Sequence, residues 1–168
     1  MKPEEVLDFI CRRRSVRRFQ KKAIPEETLT LLMEAAMAAP SGNNAQPWEF
    51  ILVRDPKTKE ELSRVHTWVY MVADAPVAVV VAGEKGSEWW EHDCAAATEN
   101  LLLAAANLGL GTVWCGIKEQ DAKKVRKILG APERLGVLCI IAVGYPAESP
   151  SPHTKYRQEK VHWDRFGR

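Results

Sequence analysis

Arg12-Arg13-Arg14-Ser15-Val16-Arg17-Arg18-Phe19 places five arginines within seven positions, broken by one hydroxyl and one valine and closed by an aromatic ring. Guanidinium groups bind phosphate through paired N–H donors, and a serine hydroxyl adds a further contact. A cluster this dense repels itself unless an anion neutralises it. It therefore reads as a socket for one phosphate group. The competing reading is a solvated basic surface or a nucleic-acid patch, because short Lys/Arg runs serve both. Val16 and Phe19, three apart, and the amphipathic segment that runs straight into the cluster favour a folded socket.

Charge supports one local anion site. Residues 1–22 carry a balance of +5, whereas the whole chain of 168 residues carries only +2. A protein that coats nucleic acid spreads its positive charge more widely. With 46% hydrophobic and 27% charged residues, the composition is that of a globular domain with a full core. The expectation is one domain over 1–168 in the cytoplasm. No apolar leader follows Met1-Lys2-Pro3-Glu4-Glu5, and no apolar run is long enough to span a bilayer. Cys11, Cys94, Cys115 and Cys139 form no C-x-x-C pair, so neither zinc nor a dithiol motif is indicated.

Away from the cluster, helices and strands alternate. Val6, Phe9 and Ile10 share a face in a helix over 3–13. A second helix starts near Pro25 and stops before Pro40, since a residue preceding proline avoids helical geometry. Trp48 to Val53 predicts a strand, and Asp55-Pro56 caps a third helix over about 57–66. The apolar run Pro76–Ala82 predicts a central strand buried on both faces. A helix from about 88 to 108, nearly all Ala and Leu in its second half, predicts burial almost all round. Gly109 to Ile117 reads as a strand and turn, 119–129 as a helix stopped by Gly130, and Val137–Val143 as a buried strand. The last residues mix Lys155, Arg157, Val161, Trp163 and Phe166, as an arm docked on a surface would. About four strands and five helices predict an α+β, three-layer arrangement around a mixed sheet.

No hydrolytic set stands out. His66, His92, His153 and His162 lack metal spacing, and neither Ser15 nor Ser41 lies in a nucleophile elbow. The one Gly-x-Gly, at Gly109 and Gly111, follows a helix rather than a strand and fails the dinucleotide test. The chain instead offers hydrogen-bonding loops: the 12–17 cluster, the amide loop 41–46, the turn 114–116, and basic residues 155 and 157. Such a set suits a large, flat, polar-edged ligand with a phosphate tail, whose own chemistry carries the reaction.

These stretches carry a resemblance. Arg13-Arg14-Ser15-Val16-Arg17 resembles the N-terminal signature of the nitroreductase family of flavin enzymes. Pro40-Ser41-Gly42-Asn43-Asn44-Ala45-Gln46-Pro47-Trp48, Gly109-Leu110-Gly111-Thr112-Val113-Trp114 and Val143-Gly144-Tyr145-Pro146 resemble its later motifs, in order.

The resemblance implies a three-layer α/β/α fold with a mixed, mainly antiparallel sheet, and an intertwined homodimer with FMN at the subunit interface. It implies that Arg13 and Ser15, with Arg14 in the same run, hold the FMN phosphate, and that Arg17 reaches the N1/O2 edge of the flavin. It implies that Pro40, Ser41, Asn44 and Gln46 come from the other subunit's loop. Trp114, Cys115 and Gly116 would line the ring, Lys155 and Arg157 would return to the phosphate, and the arm from about 146 would dock on the partner. The implied reaction is hydride transfer from NAD(P)H through FMN to a nitroaromatic, quinone or similar acceptor, by a ping-pong scheme. Same-fold chemistry such as reductive dehalogenation or flavin fragmentation is the alternative. No protein acid or base is obligatory. A fixed cation near N1 favours reduction, which makes Arg17 the candidate.

Overall fold

The computed structural model describes residues 2–151 and 156–167. Among the described residues, five α-helices, α1 (Pro3–Arg12), α2 (Glu26–Met37), α3 (Pro56–Ser63), α4 (Trp90–Asn107) and α5 (Glu119–Leu129), alternate with four strands. The strands are β1 (Trp48–Val53), β2 (Val77–Glu84), β3 (Gly111–Gly116) and β4 (Leu135–Gly144), in the sheet order β1-β2-β4-β3. Every strand pair is antiparallel. The parallel component of the expected mixed sheet is reduced to one isolated bridge, Ser15 to Thr112.

Alternation along the strands builds three layers. Val77, Val79 and Val81 of β2 and Cys139 and Ile141 of β4 face a core shared with α2 and α4. Ala78 and Val80 of β2 and Ile140 and Ala142 of β4 face a second core under α3 and α5. Such two-sided burial explains why β2 reads as an unbroken apolar run. Val81 pairs with Cys139 and Ala82 with Val137, so Leu138 bulges out of β4.

Gly83 and Gly136 face each other across β2 and β4, and a Cβ on either would strike the Trp90 ring, at 2.9 and 2.4 Å. This bare patch seats Trp90 on the sheet and sets the N-terminal end of α4.

Helix α4 departs from the expectation of burial all round. Cys94, Ala97, Leu101 and Ala105 are buried, whereas Ala95, Ala96, Leu103 and Ala106 are half-exposed. Only one side of the helix meets the sheet and α2. Residues 156–167 of the arm are exposed, Trp163 at 75% and Phe166 at 91%. No helix is long and apolar enough to cross a membrane among the described residues.

Candidate functional site

The arginine cluster is an extended segment laid along the free edge of β3. The Val16 N–H donates to the Thr112 carbonyl at 2.8 Å. An extended chain sends alternate side chains to opposite sides. Ser15 and Arg17 accordingly line one cavity of about 380 Å³, together with Arg18, Tyr70 and Glu148. Arg14 and Val16 line another of about 240 Å³, against Gly109, Leu110 and Gly111. Val16 is buried and Phe19 half-buried, pinned by β3 and by the chain after β4.

The five arginines have different partners. Arg12 pairs with Asp8, and Arg13 reaches Glu99 of α4 at 3.5 Å. Arg14 serves the backbone: it donates to the carbonyls of Cys11, of Arg13 at 2.7 Å and of Ser151 at 3.2 Å. The guanidiniums of Arg17 and Arg18 make no ion pair among the described residues. The socket is therefore narrower than five arginines suggest, and internal acids relieve part of the crowding.

β3 is an outer strand, and its alternation can be read from two bonds. The Thr112 carbonyl faces outward to Val16, whereas the N–H of Ile117 turns inward to Leu138 at 3.0 Å. Residues 112, 114 and 116 thus turn their backbone groups away from the sheet. The Gly116 carbonyl accepts from the Trp68 indole at 3.0 Å, which leaves the N–H groups of Trp114 and Gly116 aimed past the edge. Trp114 is exposed, and a Cβ on Gly116 would meet nothing within 4 Å. Cys115 points the other way, into the core against Met71. Burial pushes its thiol up to about 11, against the opposing pull of nearby Arg17. By the same alternation its backbone groups face Ile140 of β4, so Cys115, expected to line the ligand, presents neither its thiol nor its backbone at this edge.

Loop 40–46 lies elsewhere. Asn43, Asn44 and Gln46 adopt φ of 53°, 55° and 47°. Left-handed backbone at a residue other than glycine is of order 1–3 kcal/mol uphill and persists where surrounding contacts enforce it. Here the Gln46 N–H donates to Ser41 Oγ at 3.0 Å, and Gln46 Nε2 donates to Asn44 Oδ1 at 3.0 Å. The Gly42 N–H donates to Oδ1 of buried Asp93, at 3.0 Å. Pro40, Asn44 and Gln46 are exposed and Ser41 is half-buried.

The loop enters β1 at Trp48, level with Gly83, whereas Thr112 is level with Val143 and hence with Val77. The two motifs occupy diagonal corners of the sheet. At about 4.8 Å per strand gap and about 3.4 Å per residue, they are roughly 25 Å apart. One copy of the chain does not bring them together. Arg157 is exposed on the arm, 3.5 Å from Glu159, and Lys155 lies outside the described residues.

Sequence reasoning missed Glu148, Tyr70 and Asp93. Asp93 carried a faint signal, as an acid in the first turn of an apolar helix. Glu148 carried none, because its partners lie about 130 residues away.

The comparisons agree with this architecture. The model of the nitroreductase family matches residues 10–67 and 64–145. A Methanothermobacter thermautotrophicus protein named as a candidate NADH dehydrogenase/NAD(P)H nitroreductase is 37% identical over 96% of this chain and 88% of its own length. The crystal structure of a protein so named from Bacteroides thetaiotaomicron superposes with a TM-score of 0.94, at 36% identity, over 98% of this chain and all of the other. A candidate nitroreductase from Desulfovibrio desulfuricans, solved in complex with FMN, gives 0.86 at 32% identity, over 99% of each chain. With its arginine row along the β3 edge and its amide loop ahead of β1, the chain belongs to the nitroreductase family.

Proposed function

We propose that the chain is an FMN-dependent NAD(P)H oxidoreductase, active as a homodimer in the cytoplasm. One observation carries the reading: Ser15 and Arg17 share a cavity beside an open strand edge that offers the N–H groups of Trp114 and Gly116. The donor set fits FMN. A hydroxyl and clustered guanidiniums suit a phosphate, and a row of outward amides suits the oxygen and nitrogen edge of a flat heterocycle.

Arg13 and Ser15 hold the phosphate end, and Arg17 stands at the ring edge where negative charge collects on reduction. Trp114 and Gly116 orient the ring through their backbone, while Cys115 packs into the core beneath them. Arg14 braces the segment. When bound, FMN supplies the two-electron chemistry, taking hydride from a reduced nicotinamide and passing it to an electron-poor acceptor.

A second copy supplies the missing wall. Pro40, Ser41, Asn44 and Gln46 cannot reach their own chain's arginine row, yet the loop is held in strained geometry with exposed amides. The half-exposed side of α4 and the apolar arm residues Trp163 and Phe166 are surfaces that a second copy would cover.

Purified protein should be yellow, sediment as a dimer, and bleach when NADH or NADPH is added without oxygen. Comparing nitroaromatics, quinones and halogenated aromatics as reoxidants assigns the acceptor class. Colourless protein that FMN cannot reconstitute would overturn the reading.

A further inference from the structure

Glu148 lies just after β4, and its Oε1 accepts the N–H of Arg17 at 2.6 Å and the N–H of Arg18 at 3.2 Å. The contact sits within a short zipper. The Gln20 N–H donates to the Tyr145 carbonyl, and the Ala147 N–H to the Arg18 carbonyl, both at 2.9 Å. Glu148 lines both cavities that flank the arginine segment, and it is the one acidic side chain in either lining.

The amides need an acceptor, but they do not need a charge. A glutamine or serine oxygen could accept from them as well. A carboxylate here opposes an anion in the same cavity, because like charges repel. We infer that Glu148 is a positioning residue whose charge also restrains the site. It holds Arg17 at the β3 edge through the backbone, and it keeps affinity for anions, including the reduced cofactor, below what the arginines alone would provide. The inference rests on the FMN reading above.

Two variants separate the two effects. Glu148→Gln keeps the accepting oxygen and removes the charge. It should bind FMN about tenfold more tightly than wild type, about 1.4 kcal/mol. A further tenfold preference for the reduced over the oxidised form would raise the midpoint potential by about 30 mV for a two-electron couple. Glu148→Ala loses the acceptor as well and should bind FMN more weakly than Glu148→Gln and melt at a lower temperature. The gain in Glu148→Gln should shrink as salt rises, as a charge effect requires. A purely structural clamp would leave the potential and the salt dependence unmoved.

Glu148→Gln with equal or weaker FMN affinity and an unchanged potential would overturn the inference while leaving the FMN reading intact. Wild type that takes up no FMN would instead overturn that reading. The charge effect is then still read on apoprotein, where inorganic phosphate should raise the melting temperature of Glu148→Gln more than that of wild type. Equal shifts would overturn the inference there too.

Discussion

The side chain of Val16 occupies the space in which Gly111 would carry a Cβ: the nearest Val16 atoms lie 2.7 Å from that point. A glycine in β3 thus lets the arginine segment lie against the strand edge, where the Val16 N–H reaches Thr112.

Gly111→Ala should push the segment off the edge. Overpacking of this kind destabilises by about 1–3 kcal/mol, which for a domain of this size lowers the melting temperature by roughly 2–12 °C. FMN affinity should fall with it. Calorimetry and FMN fluorescence titration read both. Undiminished FMN affinity in Gly111→Ala would sink the idea that this contact positions the site.

Arg13→Ala and Ser15→Ala should each weaken FMN binding while the apoprotein stays folded. The arginine change should cost about 1.5–3 kcal/mol, as a lost hydrogen bond to a charged group does. Arg14→Ala should behave in the opposite way, losing about 1–2 kcal/mol of stability because three backbone carbonyls lose a donor, with little change in the visible spectrum of bound FMN.

Asp93→Ala removes the acceptor of the Gly42 N–H and should loosen loop 40–46. If the loop acts in a partner's site, FMN affinity of the dimer falls about tenfold, the lower part of the range for one buried hydrogen bond. Asp93→Asn should recover most of it, since an amide oxygen can accept the same bond. Equal affinity in wild type and Asp93→Ala would detach the loop from the site.

The thiols give a pH signature. Burial holds Cys94 up at about 12 and Cys115 up at about 11, and it raises Cys139 as well. Cys11 alone is exposed. A thiol reagent at pH 8 should therefore modify one cysteine quickly in the native protein and all four after unfolding. Because the folded values lie above the unfolded ones, the stability from neutral buried thiols is complete below about pH 9, where free thiols ionise. It declines as pH rises through 9 toward 11, since only the unfolded chain then gives up its protons. Denaturation curves from pH 7 to 10.5 should show that decline, with a gentler slope in Cys115→Ser.

At the acid end, two bonds from Thr58 to Asp55 lower the carboxyl's pKa from its ordinary value, and nearby Lys57 and Lys59 act in the same direction. This cap of α3 should hold above the ordinary carboxylate range and weaken as pH falls through the lowered value. Helical circular dichroism of Asp55→Asn against wild type should diverge near neutral pH and converge at low pH.

Much of the fold was legible in the chain itself. Every α-helix and strand lies within a few residues of its expected place, because periodicity, prolines at helix starts and Gly130 at a helix end act over one or two turns. The motifs were legible as well, since Arg13, Ser15 and Arg17 recur at the spacing of one side of an extended segment. Tertiary structure alone decided how each group is used. It turned Arg14 onto carbonyls, paired Arg13 with Glu99, buried the thiol of Cys115, and set Glu148 against the amides of Arg17 and Arg18. It also placed loop 40–46 and the arginine row at opposite corners of the sheet. Local rules reach only about four residues along the chain, whereas the partner of a charge or an amide is chosen by whichever distant segment the sheet order brings beside it.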